Sequence, residues 1–271
     1  MRAIAVPIVG ALVAIAFVGS HVSPGVSGAV ARSVADPARP AEDRRSDPLR
    51  KPQQTLALAG VRSGMIVGEF YPGGGYFTRM LSDLVGKDGH VYGIENSRWK
   101  GSIKADKALL AQNRWKNVTI SAEPFGTVNF PRPLDLAWVT QNYHDMKIAK
   151  EGKVDTLAFD RAVYRALKPG GIYFIVDHQG APGLTGAQIG KLHRINRDLV
   201  VKEVTSAGFR LIAEGSFLHN PGDDHSKPIF DKSIRGHTDQ YALKFLKPEQ
   251  QHRSLAERIV AAIPVLIQAR D

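Results

Sequence analysis

The chain has 271 residues, of which 43% are hydrophobic, and a formal net charge of +10; this is enough for one domain with a substantial core. It contains no cysteine, which excludes disulfides, thiolate nucleophiles and cysteine-ligated zinc. Its basic residues are scattered among acidic ones, so the charge favours a solvated basic surface over a nucleic-acid interface.

The first 31 residues have the layout of a secretory signal peptide. Arg2 precedes an apolar run over residues 3–18, and Ala29-Val30-Ala31 matches the small-residue cleavage pattern. The run is short for a membrane span, although an inner-membrane anchor through residues 3–18 stays open as the alternative. The sequence therefore predicts export to a bacterial periplasm, with transient membrane association through the N-terminus.

An alternation of strands and helices follows a polar segment. Residues 32–54 are rich in proline, arginine and aspartate, which predicts a linker or surface arm. "PQQTLALAGV" then predicts a short helix, "GMIVGEF" a buried strand, and "YFTRMLSDLVG" a helix after three glycines. The next strand, "HVYGIEN", ends in an acid.

The same rhythm continues along the chain. Further helices are predicted at "SIKADKALLAQN", "DTLAFDRAVYRAL" and "RDLVVKEVTSAGF", and further strands at "NVTISAE", "LDLAWVTQNYHD" and "IYFIVDH". Such alternation is typical of a doubly wound α/β fold, in which helices cover both faces of a mostly parallel sheet.

The end of the chain breaks this rhythm. "FRLIAEGSFL" and "TDQYALKFLK" are two strands without a helix between them, so we expect them to pair as an antiparallel hairpin. The predicted α/β domain spans residues 55–247. Residues 248–271 predict an amphipathic helix, which packs on the domain or on a second subunit, giving a homodimer.

The glycine corner predicts a ligand site. In open α/β sheets, ligands bind beyond the carboxyl ends of the strands, and Glu69 stands at such an end just before Gly73, Gly74 and Gly75. Glu95 ends the second strand, where an acid can accept hydrogen bonds from ribose hydroxyls. The dinucleotide and phosphate-loop glycine patterns are absent, and the bulky Tyr76 leaves little room for a pyrophosphate. These features indicate a nucleoside-type ligand without phosphates.

The stretch "VGEFYPGGGYFTRML" resembles the first motif of the class I methyltransferases that bind S-adenosylmethionine, acid-x-G-x-G-x-G. "VYGIE", "LDLAWV" and "RALKPGGIYFIVD" follow in that family's order, over about residues 50–247. "ADPARPAEDR" and "RGHTDQYALKF" are similar to a subgroup of predicted exported methyltransferases. The resemblance implies a seven-stranded sheet whose seventh strand is antiparallel, S-adenosylmethionine as the cofactor and a small-molecule methyl acceptor.

The resemblance also implies roles for individual residues. Glu69 would hold the amino group of the methionine part, and Glu95 the ribose hydroxyls. Tyr71, followed by Pro72, stands where the first motif glycine is expected, and Gly73 and Gly75 match the second and third. The remaining contacts implied are Asn96, Glu123 and Phe125 at the adenine, Asn142 and Tyr143 at the methionine end, and Gly74 and Tyr76 in the loop.

Histidines at the predicted strand ends are the candidate catalytic residues. Methyl transfer needs a general base only if the acceptor carries a proton to lose, and His144 and His178 each have an acid beside them, Asp145 and Asp177. His193 is a further candidate. The loop Asp223-Asp224-His225 could hold a divalent metal, but adjacent acids beside Pro and Gly favour a turn, so no metal site is predicted.

Two other functions stay open from the residues alone. The chain could be an exported binding protein that keeps the fold for a small ligand, or an enzyme of different chemistry that uses the His/Asp edge. The acceptor cannot be read from the sequence, because substrate preference lies in the loops at residues 179–195 and 219–237 and a fold does not fix a function.

Overall fold

The computed structural model describes residues 24–148, 150, 152 and 154–249. The apolar run at 3–18 and most of the predicted C-terminal helix lie outside these residues. The strands are β1 (Ile66–Phe70), β2 (His90–Asn96), β3 (Val118–Glu123), β4 (Leu134–Thr140), β5 (Leu167–His178), β6 (Arg210–Gly215) and β7 (Gln240–Leu246). The helices are α1 (Pro24–Val34), α2 (Ala41–Arg50), α3 (Pro52–Ala59), α4 (Tyr76–Val85), α5 (Lys100–Ala111), α6 (Thr156–Ala166), α7 (Gly186–Leu192) and α8 (Arg197–Ser206), with a 3-10 turn at His144–Lys147.

The seven strands form one sheet in the order β3-β2-β1-β4-β5-β7-β6. The pairs among β1 to β5 are parallel, whereas β7 runs antiparallel to both β5 and β6. The order differs from the dinucleotide-binding order 3-2-1-4-5-6 because β7 inserts between β5 and β6. The prediction of a mostly parallel seven-stranded sheet with an antiparallel end is confirmed.

Helices cover both faces of the sheet because alternate strand residues point to opposite sides. One core packs α1, α3 and α4 against residues such as Val67 and Trp138. The other packs α6, α7 and α8 against their strand neighbours, such as Phe70 and Val139. Both faces are covered, so inner strands such as β1 and β4 are largely buried, whereas the edge strands β3 and β6 are partly exposed.

The N-terminal segment is folded onto the domain. Residues 32–54, predicted as a linker or surface arm, contain α2 and the start of α3. The buried Arg39 side chain donates to both carboxylate oxygens of Asp47, and Arg79 pairs with Asp43 at 2.8 Å. Asp47 also accepts from the Tyr76 hydroxyl at 2.6 Å. The charged residues of this segment therefore form ion pairs with the domain. Composition alone does not distinguish paired charges from solvated ones.

We expect Asp47→Asn to lower the free energy of unfolding by about 2 kcal/mol, because it removes the charge that a buried guanidinium and a hydroxyl both use. Urea unfolding measures this change. The control is Asp88→Asn, whose partner Lys87 is exposed and which should cost at most about 1 kcal/mol. Equal losses in the two variants would contradict an anchoring role for Asp47.

Helix α1 carries the predicted cleavage site. Val30 is fully buried in the core beside α3 and α4, and the Ser33 hydroxyl donates to the Met80 carbonyl at 3.2 Å. None of the helices in the described residues is both long and apolar enough to cross a bilayer.

Candidate functional site

A cavity of about 420 Å³ opens beyond the carboxyl ends of β1, β4 and β5. Its walls come from the glycine corner, the end of α2, the segment after β4 and the loops around α7. The lining residues are Arg50, Glu69, Tyr71, Pro72, Gly73, Tyr76, Phe77, Trp99, Thr140, Gln141, Asn142, His144, Asp145, His178, His193, Ile229 and Phe230.

The glycine corner favours glycine at three successive positions. Gly73, Gly74 and Gly75 have φ of 59°, 91° and 88°, a region that side chains disfavour. There is little room for a Cβ at two of these positions, since one on Gly75 would lie 2.9 Å from Leu109 and one on Gly74 would lie 3.0 Å from Ala105. The corner therefore brings the backbone of this loop against α5.

Tyr71 adopts the backbone conformation of the glycine it replaces. Its φ is 58°, which costs a residue with a side chain roughly 1 kcal/mol. The ring centroid lies 4.9 Å from that of Phe125 and 5.4 Å from that of Trp99, and the hydroxyl accepts from the Gly126 N–H at 3.1 Å. The space beside Phe125, where the adenine was expected, is thus taken by the Tyr71 ring.

Strained residues collect around this cavity. Tyr71, Gln141 and His193 are non-glycine residues with φ of 58°, 61° and 53°, and all three line the cavity. Residues other than glycine keep a left-handed backbone conformation only where the surrounding structure holds them in it. Such residues cluster at functional sites. Their convergence supports this cavity as the functional site.

Buried carboxylates surround the glycine corner. Burial, with the nearby Asp106 and Glu95 carboxylates, raises the pKa of Glu69 to about 8, although Glu69 accepts from the Thr78 hydroxyl at 2.6 Å. Burial and Asp106 raise the pKa of Glu95 to about 7. Glu95 accepts from the backbone N–H of Gly73, and Asp106 accepts from that of Gly74. Such a cluster favours a ligand that brings positive charge or hydrogen-bond donors.

Two buried polar atoms near Glu95 have no hydrogen-bond partner among the residues that the structure describes. They are the Asn96 Nδ2 donor and the Asp106 Oδ2 acceptor. Buried polar groups are normally hydrogen-bonded, so these atoms mark a polar interior behind the glycine corner, outside the cavity lining.

The imidazole of His144, in the 3-10 turn after β4, is held by an acid at the end of β5. The His144 Nδ1 lies 2.7 Å from Asp177 Oδ1, and the other Asp177 oxygen accepts from the His144 backbone N–H at 2.8 Å. Burial by itself would lower the pKa of His144, but Asp177 and Asp145 raise it above its ordinary value. With Nδ1 as the donor to Asp177, the His144 Nε2 is left as the reactive nitrogen.

His178 has a different environment from His144. Its Nδ1 lies 2.8 Å from the Thr238 hydroxyl, and burial, with the positive groups His144, Arg194 and Arg50, lowers the pKa of His178 well below its ordinary value. It is therefore neutral at pH 7. Both histidines line the same cavity, but His144 favours its protonated form and His178 its neutral form. Pairs of titratable groups with opposite pKa shifts are typical of acid–base sites.

The structure brings together part of the predicted site. The predicted residues in the lining are Glu69, Tyr71, Pro72, Gly73, Tyr76, Asn142, His144, Asp145 and His178. The predicted residues outside it are Gly74, Gly75, Glu95, Asn96, Glu123, Phe125 and Tyr143.

Tyr143 is placed differently from its predicted role at the methionine end. It is fully buried, and its hydroxyl lies within hydrogen-bonding distance of both Asp160, at 2.8 Å, and Glu203, at 3.0 Å. The 3-10 turn after β4 sends its side chain into the core that contains α6 and α8, whereas Asn142 faces the cavity.

The Asp223-Asp224-His225 loop is a turn held by ion pairs. Asp223 pairs with the buried Arg194 at 2.8 Å, and His225 Nε2 lies 2.9 Å from Asp239 Oδ2. Asp224 accepts from Ser226 within its own turn. Its three side chains are thus bonded to other residues, in agreement with the turn that the sequence favours.

Several lining residues could not be assigned from the sequence. Arg50 comes from the segment predicted as an arm, and Trp99, Gln141 and Phe230 lie in connections without a motif. None of these residues carries a local sequence signal for the cavity.

Comparison with known proteins agrees with the architecture. No protein-family model matches the chain. It is 27% identical over 202 residues to the ubiquinone/menaquinone biosynthesis C-methyltransferase UbiE of Marinomonas sp. (strain MWYL1), covering 73% of this chain and 70% of that protein.

Solved structures are similar at lower identity. A SAM-dependent methyltransferase from Aquifex aeolicus matches with a TM-score of 0.55 and 18% identity, over 76% of this chain and 97% of that one. The N-methyltransferase NodS from Bradyrhizobium japonicum WM9 matches with a TM-score of 0.50 and 14% identity, over 78% of this chain and 99% of that one. The chain therefore has the fold of the S-adenosylmethionine-dependent methyltransferases.

Proposed function

We propose that the chain is an S-adenosylmethionine-dependent methyltransferase acting on a small-molecule acceptor. The proposal is supported by the methyltransferase fold, by the 27% identity to a C-methyltransferase and by the chemistry of the cavity. When bound, S-adenosylmethionine supplies a methyl group on a sulfonium. The chain's own task is to hold donor and acceptor in line and to exclude water.

The observation that carries the proposal is that an acidic and a basic side chain line the same cavity at the glycine corner. Glu69 lies at the end of β1, and Arg50 reaches the cavity from α2 with its guanidinium carbon 4.1 Å from the Tyr76 ring centroid. The Arg50 Nη2 also donates to Gln141 Oε1 at 3.3 Å. The pair matches the ammonium and the carboxylate of an amino-acid moiety, as in the methionine part of the cofactor.

The nucleoside part would extend from the cavity toward the glycine corner. Glu95 and Asn96 are buried behind this corner and lie outside the cavity lining, so the contact of Glu95 with the ribose hydroxyls that the resemblance implies would require the loop to shift. Because the Tyr71 ring fills the space beside Phe125, we place the adenine against the cavity side of Tyr71 and Trp99, which both line the cavity.

The histidine side of the cavity would receive the acceptor. His178 is neutral at pH 7 and lines the cavity, so we assign it as the group that takes a proton from an acceptor with one to lose. Asp177 acts as a positioning residue, since it fixes the orientation of His144.

Arg50→Gln is expected to weaken binding of S-adenosylmethionine about tenfold, because a charge-assisted hydrogen bond contributes roughly 1.5–3 kcal/mol. Decarboxylated S-adenosylmethionine lacks the carboxylate and should bind the variant as well as it binds the unmodified protein. Titration calorimetry with both compounds measures the difference. If the variant lost the same affinity for both compounds, Arg50 would not contact the carboxylate.

The function is tested by calorimetry with S-adenosylmethionine, followed by transfer of a labelled methyl group to a panel of small aromatic and hydroxylated acceptors. Binding together with transfer is the expected result. Binding without transfer to any acceptor would favour the alternative of a binding protein, and absence of binding would refute the assignment.

We also propose that the protein is exported, which rests on the sequence of its first 31 residues. A periplasmic reporter fusion should be active, and intact mass measurement should place the mature N-terminus at Arg32. If the chain instead keeps residues 1–31 and is found in the membrane fraction, the anchor at residues 3–18 is favoured.

A further inference from the structure

Three ligand-type side chains converge on one point of the cavity wall. His144 Nε2 lies 3.3 Å from His193 Nδ1, and Asp145 Oδ1 lies 3.4 Å from each of these nitrogens. His144 and Asp145 come from the 3-10 turn after β4, whereas His193 follows α7. In the described part of the chain, no other group of three such residues is close enough to share an ion.

The spacing fits a shared metal ion. The three contacts are long for hydrogen bonds, since the His144–Asp177 bond beside them is 2.7 Å. Ligand atoms at about 2.0–2.1 Å from a tetrahedral Zn²⁺ lie about 3.3–3.4 Å apart. The three distances in the triangle therefore match the edges of a tetrahedron, whereas adjacent ligands of an octahedral Mg²⁺ site would lie about 2.8–3.0 Å apart.

The surroundings orient each ligand atom toward that point. Asp177 accepts from His144 Nδ1, which leaves Nε2 free to coordinate. Asn142 Nδ2 donates to Asp145 Oδ2 at 3.1 Å, which leaves Oδ1 facing the histidines. Carboxylate and amide groups that hold metal ligands in this way are a regular feature of metal sites.

His193 is held in an unfavourable conformation at the same point. It caps α7 with a φ of 53°, and its ring packs on Phe230 at a centroid distance of 4.9 Å. Strain of this kind is retained where the position of the side chain matters. All three residues line the cavity, so a fourth coordination position would face the bound molecule.

We propose that His144, Asp145 and His193 bind one divalent transition-metal ion, with Zn²⁺ the preferred ion. Two imidazoles and one carboxylate with an open fourth position form a ligand set used by catalytic zinc. The open position takes water or an oxygen donor of the small-molecule substrate. The site stands on these side chains alone and does not depend on methyl transfer.

The test is titration of the full chain, stripped with a chelator, with ZnCl₂ alone. One ion per chain is expected, and Co²⁺ in place of Zn²⁺ should produce the visible absorption of a tetrahedral site. His193→Asn, which keeps a residue that tolerates the left-handed conformation, and Asp145→Asn should each weaken binding at least about 100-fold, and Asn142→Ala about tenfold.

The control is His219→Asn, which removes a histidine whose side chain is 60% exposed and should leave the titration unchanged. Unfolding midpoints confirm that each variant is folded. The proposal is overturned if the unmodified chain binds no ion, or if the ligand variants bind with the same stoichiometry and affinity as the control.

Discussion

Glu69→Gln is expected to weaken the binding of S-adenosylmethionine about 100-fold, since losing one partner of a buried charge pair costs roughly 2–5 kcal/mol. Glutamine has nearly the same shape and keeps an oxygen for the Thr78 hydroxyl, which donates to Glu69 at 2.6 Å. The loss would therefore come from the missing charge opposite the ammonium group. Titration calorimetry at pH 8 measures it.

The pH dependence of binding follows from the raised pKa of Glu69, which is about 8. Below pH 8 the carboxyl is mostly protonated, so affinity for an ammonium group should fall up to tenfold for each pH unit of acidification. Above about pH 8 the amino group of the ligand loses its own proton. We therefore expect maximal affinity near pH 8. The affinity of the Glu69→Gln variant should not fall as the pH is lowered below 8.

The same carboxyl affects stability with the opposite trend. Its folded-state pKa lies above the ordinary value of 4.5, so the folded protein binds more protons than the unfolded chain between about pH 4.5 and 8. Its contribution to stability is greatest below this window and falls as pH rises through it. Glu69→Gln should therefore be less sensitive to pH there.

The matched control for Glu69 is Glu123→Gln at the end of β3. The resemblance assigned Glu123 to the adenine, but it lies outside the cavity lining. Unchanged affinity in this variant is expected. If it weakened binding as much as Glu69→Gln, the placement of the ligand against Tyr71 and Trp99 would have to be abandoned.

Tyr71→Ala is expected to lower the free energy of unfolding by about 3–5 kcal/mol, because it empties the space between Phe125 and Trp99. Tyr71→Gly should be about 1 kcal/mol more stable than the alanine variant, since only glycine accepts a φ of 58° without strain. Urea unfolding of the pair isolates the backbone contribution from the loss of the ring.

The same variants test where the adenine lies. If the cavity side of Tyr71 supports the base, Tyr71→Gly should weaken S-adenosylmethionine about tenfold or more, because stacking on an aromatic ring contributes roughly 1–3 kcal/mol. Tyr71→Phe keeps the ring and loses only the Gly126 contact, so its affinity should be unchanged. A gain in affinity for Tyr71→Gly would mean that the ring occupies the adenine position.

The pairing of the candidate catalytic groups was not available from sequence order. Asp177 is adjacent to His178 in the chain, yet its carboxylate meets the ring of His144, 33 residues away. Successive side chains on β5 point to opposite faces, and the 3-10 turn after β4 brings His144 beside β5. The sequence thus indicated which residue types collect at this edge, and the tertiary structure decided how they pair.

Arg50 was similarly hidden from sequence reasoning. Its segment has the composition of a solvated arm, and the burial of Arg39 and the Arg79–Asp43 pair depend on surfaces contributed by α4. A polar segment gives no local signal of where its charges will be paired.

The sequence by itself determined the alternation of strands and helices, the antiparallel end of the sheet and the glycine corner after Glu69. These features follow from hydrophobic periodicity and from backbone angles that only glycine accepts easily, and both act over a few neighbouring residues. The tertiary structure alone decided that Tyr71 fills the space beside Phe125, that Arg50 lines the same cavity as Glu69, and that His193 meets His144 and Asp145. Those contacts join residues far apart in the chain, and their geometry is set by how the helices pack on the sheet, which no local pattern of residues encodes.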